Sequence, residues 1–223
     1  MKKAEVYEFY HRLSEAIEEP ETELDYVNPY TLLVAVALSA QATDVGVNRA
    51  TKELFKRVTT PQAMLELSEQ GLKEHIRTIG LYNTKAKNVI LTARMLLEEH
   101  GGEVPRTRAE LEKLAGVGRK TANVVMNVAF GEETIAVDTH IFRVSNRTGL
   151  APGKTPLAVE QKLEKVTPAD FKRHAHHWLI LHGRYVCKAR TPECWRCPVA
   201  DLCRYKPKTP APRGTKAAET VLD

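Results

Sequence analysis

The sequence predicts an all-α fold. Three observations carry that prediction: apolar residues recur at three- and four-residue spacings, capped proline starts precede several of these runs, and no convincing segment alternates apolar with polar residues. Val6, Phe9, Tyr10, Leu13 and Ile17 line one face of a first helix over 3–18. Asn28-Pro29 opens the next, over 29–40, with an N-cap followed by proline at the first helical position. Its LLVAVALSA stretch at 32–40 reads as a buried core helix, because it falls far short of the roughly 20 apolar residues that cross a bilayer. Helical periodicity continues over 44–57, 61–67, 70–77 and 83–100. Helices over 107–114 and 119–130, the second bearing Val124, Val125 and Val128, bracket a Gly-x-Gly turn. TIAV at 134–137 is the one candidate strand and reads as a connector into a helix over 139–148. Thr155-Pro156 and Thr167-Pro168 repeat the capped proline start for helices over 156–165 and 168–182.

With 223 residues, 43% hydrophobic and 27% charged, the chain has the composition of a compact globular protein, long enough for one large domain or two modest ones. Its N-terminus places Glu5, Glu8 and His11 where a secretory signal needs an apolar run, so a cytoplasmic location is expected. The net charge of +5 is unevenly placed. Residues 183–216 hold nine Lys or Arg against Glu193 and Asp201, a segment suited to phosphates or acidic lipid. The polar, proline-bearing stretch over 207–223 is expected to be a disordered tail.

All four cysteines, Cys187, Cys194, Cys197 and Cys203, fall within 17 residues in the order C-x6-C-x2-C-x5-C. Two disulfides are one reading, disfavoured in a chain of this size without an export signal. A tetrahedral zinc site is another, with His182 nearby, although zinc favours two tight knuckles and only Cys194 and Cys197 form one. Four thiolates on one short loop can also wrap an iron–sulfur cubane.

LAGVGRKTANVV at 114–125 is a helix-hairpin-helix pattern. Gly116 and Gly118 let the backbone come close to a ligand, and the amides that open the second helix can bind a phosphate oxygen without reading base sequence. Lys120 sits in the first turn of that helix, where the dipole disfavours a cation and would lower the amine's pKa. Such an amine is a candidate nucleophile, and a surface phosphate-binding lysine is the alternative. Asp138, in VDTHIFRV at 137–144, reads as an N-cap whose rigidly held charge is also available for catalysis.

These segments, with LSAQATD at 38–44, IGLYNTKAKNV at 79–89 and HGRYVCKAR at 182–190, resemble the endonuclease III family of helix-hairpin-helix base-excision glycosylases over roughly residues 20–206. The resemblance implies two helical domains flanking a DNA-binding cleft: a six-helix domain over 22–132, and an iron–sulfur domain from 1–21 plus 133–206. It implies that Lys120 and Asp138 face each other across the cleft as the catalytic pair, and that the four cysteines bind one [4Fe-4S] cluster. Lys188 and Arg190 would present charge to the DNA backbone. Gln41 and Leu81, with Ile79 beside Leu81, match the positions that fill the gap left by an extruded base, and His140 matches one lining the active-site cleft.

The partner implied is double-stranded DNA carrying damaged pyrimidines or abasic sites, met by a monomer acting at the nucleoid and not at a membrane. Ala115 departs from the family's usual proline before the first hairpin glycine. An adenine-removing relative lacks the nucleophilic lysine and is usually longer, and a non-catalytic DNA-structure binder would need neither Lys120 nor Asp138.

Overall fold

The computed structural model describes residues 1–213, and among these the chain is helical with no strand. The helices are α1 (Lys3–Ala16), α2 (Pro29–Leu38), α3 (Asp44–Thr51), α4 (Pro61–Ile76), α5 (Tyr82–His100), α6 (Arg108–Leu111), α7 (Arg119–Phe130), α8 (Thr139–Thr148), α9 (Pro156–Val166) and α10 (Lys172–Tyr185). Short polar side chains start most of them by accepting from an otherwise orphaned backbone amide. Asn28 accepts from Thr31 N at 2.9 Å while Thr31 Oγ1 accepts from Asn28 N at 2.9 Å, a reciprocal box. Thr43, Thr60, Thr107, Thr155 and Asp138 cap α3, α4, α6, α9 and α8.

The chain divides into two compact units. One runs from Thr22 to Glu132 and holds α2–α7. Its α2 is buried on nearly every side through Leu32, Leu33, Val34, Ala35, Val36 and Leu38, so a helix with almost no polar face becomes the centre of the unit. The other unit joins Met1–Glu21 to the chain from Glu133 onward. Phe9, Tyr10, Leu13, Ile141, Val144, Leu163, Trp178 and Leu179 form its core. Each fully buried side chain of this size contributes roughly 1.5–3 kcal/mol of transfer free energy. Two aromatic polar ends within that core are satisfied: Tyr10 Oη lies 2.9 Å from Thr167 Oγ1, and Trp178 Nε1 donates to Ile17 O at 2.7 Å.

Several element ends differ from the expected ones. Thr167 spends its hydroxyl on Tyr10, so it caps nothing; a 3₁₀ turn, Ala169–Phe171, precedes α10, which starts at Lys172. That helix runs on through Gly183 to Tyr185; a Cβ at Gly183 would lie 2.8 Å from His140 Cβ, so the glycine lets α8 pack closely there. The gap expected between 67 and 70 appears as a break at Ser68, whose φ of 69° and ψ of 165° interrupt α4. Of the expected disordered tail, Lys208 instead donates to Cys203 O at 2.8 Å; residues 214–223 lie outside the described residues.

Candidate functional site

The hairpin is built from the first unit upward. Thr107 caps α6 through Glu110 N, the chain turns at Leu114–Gly118, and α7 begins at Arg119 with Gly118 as its N-cap. The long helix α5 braces the turn: Thr92 Oγ1 donates to Ala115 O at 3.0 Å, and Asn88 packs against Gly116. The two glycines have different reasons to be there. Gly116 has a φ of +74°, and a Cβ on it would lie 2.7 Å from Asn88 Nδ2. Gly118 is extended, with φ −96°, and nothing lies within 4 Å of where its Cβ would be. Glycine at 116 therefore answers to the fold, and glycine at 118 leaves open space at the end of α7, where backbone amides and dipole together attract an anion. Lys120, the second residue of α7, is exposed, while Thr121, Ala122, Val124 and Val125 face the core.

Gln41 and Leu81 belong to the same unit and share a rare conformation. Gln41 has φ 55° and Leu81 has φ 60°, left-handed values that cost a non-glycine residue about 1–2 kcal/mol. Both are exposed, Leu81 at 62%. A strained, exposed leucine at the head of α5, with no capping hydrogen bond from its own side chain, is an observation that invites a functional reason. Ile79 differs from the expectation that it joins them at the DNA. Its side chain is 4% exposed, and its amide donates to Ile76 O at 2.8 Å, so it anchors the turn in the core.

In the other unit, Asp138 caps α8 by accepting from Ile141 N at 2.8 Å and is half-buried. His140 Nδ1 lies 3.2 Å from Arg143 Nη2. Arg143 Nε also donates to Cys187 O at 2.9 Å, and its Nη2 to Gly183 O at 2.7 Å. One turn on, Arg147 donates to Lys188 O and Ala189 O, each at 2.7 Å, and stacks 4.8 Å from the Tyr205 ring. Two arginines on the helix that Asp138 caps thus hold the start of the cysteine segment. Sequence reasoning passed over both.

Cys187, Cys194, Cys197 and Cys203 line one cavity of about 320 Å³, part of it open to solvent, together with His182, Tyr205 and Lys208. All four are free thiols, so the disulfide reading fails. Among the described residues no three His, Cys, Asp or Glu side chains come close enough for a single metal ion. Tyr205 N points to Cys203 Sγ at 3.4 Å, and Arg147 Nη1 to Cys187 Sγ at 3.8 Å, donors suited to thiolate sulfur. Burial, reinforced by the neighbouring cysteines, pushes the Cys197 thiol up to about 12. A polynuclear cluster fits this cavity and this donor set. Lys188 pairs with Glu193 at 2.5 Å and Arg196 with the same carboxylate, while Arg190 is exposed. No described helix is long and apolar enough to cross a membrane.

The helical fold, the hairpin and the cysteine cavity define a helix-hairpin-helix repair protein, and comparison with known proteins gives the same class. Residues 34–169 match the HhH-GPD superfamily base excision DNA repair proteins, and residues 187–203 match the iron-sulfur binding domain of endonuclease III. The chain is 62% identical to endonuclease III of Escherichia coli (strain K12) over 208 residues, covering 93% of this chain and 99% of that protein. Endonuclease III of Haemophilus influenzae is 60% identical with the same coverage. A solved structure of a trapped endonuclease III-DNA covalent intermediate superposes with a TM-score of 0.86 at 45% identity, covering 92% of this chain and 96% of that one. The chain belongs to the endonuclease III family: it is a base-excision DNA glycosylase and AP lyase that takes a single [4Fe-4S] cluster.

Proposed function

We propose that Lys120 is the nucleophile and Asp138 its electrostatic partner, both acting on one damaged pyrimidine nucleotide of duplex DNA. The observation that carries this reading is an exposed lysine in the first turn of α7, directly after a glycine N-cap with open space around it. The amides of that turn take a phosphate and so fix the strand beside Lys120.

The Lys120 amine attacks C1′, its lone pair forming the new C–N bond, and the base leaves with the electron pair of the broken N-glycosidic bond and a proton given up by the lysine nitrogen. Ring opening gives a Schiff base. Loss of a C2′ proton then expels the 3′ phosphate by β-elimination, and water releases the enzyme. Asp138, held by its cap hydrogen bond to Ile141, keeps a negative charge where positive charge builds on the sugar as the base departs. Gln41 and Leu81, already in their strained conformations, fill the space the extruded nucleotide leaves.

The relatives' complexes with DNA support DNA as the partner of this chain. Oxidised pyrimidines are the proposed lesions, a monomer the acting form, and the nucleoid its place of work. The two units serve as separate functional domains, one carrying the hairpin and the other the cluster. Cys187, Cys194, Cys197 and Cys203 would hold the cluster. When bound it would fix the shape of the loop, whose Lys188 and Arg190 carry the positive charge toward the DNA backbone, and no step of the reaction passes through it.

The test is incubation with duplex containing thymine glycol or an abasic site, followed by borohydride. A covalent protein–DNA adduct is expected, absent in Lys120→Ala. Asp138→Asn should keep DNA binding and slow base release by orders of magnitude. An adduct that survives Lys120→Ala overturns the assignment.

A further inference from the structure

The cysteine segment carries an aromatic surface that the reaction above does not use. Of the chain's two tryptophans, Trp178 is buried at 4% exposure, whereas Trp195 is 39% exposed on the 3₁₀ turn Cys194–Arg196. Tyr185, the last residue of α10, is 47% exposed. The turn is fixed against the end of that helix: Glu193 N donates to Val186 O at 2.8 Å, and Arg196 Nη2 donates to Tyr185 O at 2.9 Å. Within 184–196 stand Arg184, Lys188, Arg190 and Arg196 against a single acid, Glu193, and that acid is engaged by Lys188 and Arg196.

Partly exposed indole and phenol rings on a rigid, cationic segment match the requirements of a polyanion with exposed rings. A base stacked inside a duplex offers no free face, and an unpaired one offers two. We propose that Tyr185 and Trp195 form a stacking platform for unpaired nucleotides of DNA that continues from the duplex the enzyme works on, a situation strand cleavage itself creates when an end frays. The platform rests on the DNA reading above and adds to it a preference for duplex joined to single strand.

The test uses cluster-loaded enzyme and fluorescence anisotropy with two labelled probes. One is a blunt duplex with an abasic analogue, and the other is the same duplex with a single-stranded thymidine arm. Native enzyme should bind the armed probe more tightly. Trp195→Ala should weaken armed binding on the order of ten-fold, the loss of one stacked base, with blunt binding and visible cluster absorbance unchanged. Trp195→Phe should keep most of the arm preference. Trp195→Leu, which fills similar volume without a π face, should lose it, and it decides the matter if the alanine variant loses its cluster.

Equal affinity for both probes in native enzyme, or equal loss on both in Trp195→Leu, overturns the platform. So does no change on either probe, which would make this surface a site for protein. Failure of native enzyme to bind even the blunt duplex would instead overturn the underlying DNA reading.

Discussion

Alanine at each hairpin glycine separates the fold's demand from the ligand's. At Gly116, alanine must adopt a φ of +74°, which costs about 1–2 kcal/mol. Its Cβ would also press on Asn88, whose Cβ and Cγ lie at 3.0 and 3.1 Å and cannot swing away as a side-chain tip can. A total near 2 kcal/mol lowers the melting temperature by roughly 4–8 °C at 2–4 °C per kcal/mol for a chain of this size. At Gly118, alanine meets nothing within 4 Å and keeps a negative φ. The weaker N-cap and the stiffer unfolded chain nearly cancel, leaving stability within about 1 kcal/mol. Yet its methyl group occupies the space a phosphate oxygen needs, and losing a charge-assisted hydrogen bond of about 1.5–3 kcal/mol weakens duplex binding on the order of ten-fold or more. Thermal melting and equilibrium binding to an abasic-analogue duplex, run on both variants, check this. Native-like DNA affinity in Gly118→Ala, or native-like stability in Gly116→Ala, would refute the division of roles.

Ser68→Gly should stabilise the protein by about 1 kcal/mol, since φ 69° with ψ 165° suits only glycine, and the lost Ser68 Oγ contact to Gly71 N is long at 3.4 Å. A melting temperature that fails to rise would contradict the strain. His177 is buried with neither ring nitrogen bonded, and burial, then Arg173 and His174, lower its pKa to about 4. The unfolded chain, titrating near 6.5, binds the proton first. Stability is therefore fully present above pH 6.5 and is lost as pH falls toward 4, by up to about 3 kcal/mol at 1.36 kcal/mol per pH unit. Urea melts across that window should show a shallower slope in His177→Phe, and an unchanged slope would sink the assignment. Stripping iron should expose Cys187–Cys203 to protease while the unit from Thr22 to Glu132 stays resistant, measured by limited proteolysis with mass readout. Equal resistance of both parts would argue against the cluster as scaffold.

Local signals carried most of the helices into the sequence reading, because Thr, Asn and Asp caps with prolines act within one turn. What escaped depends on contacts between distant segments. The exposed strain at Gln41 and Leu81 is a backbone property that no side chain announces. The burial of Ile79 was hidden because a core isoleucine and a surface wedge look alike in sequence. Gly183 looked like a helix end, and its role emerges only against His140 in α8. The four cysteines were legible as a set by their crowding, but their spacing left disulfide, zinc and cluster open, and the family resemblance decided for the cluster. Arg143 and Arg147 were overlooked because their partners are carbonyls some forty residues away, at Gly183, Cys187, Lys188 and Ala189.

The central claim is that one amine, Lys120, does the covalent chemistry, and the most direct measurement is the attachment site of the reduced adduct. The enzyme is trapped on abasic duplex with borohydride, digested with protease and nuclease, and mapped by mass spectrometry. The sugar remnant should fall on the peptide containing Lys120. A remnant on Lys85, Lys188 or any other amine would contradict the claim.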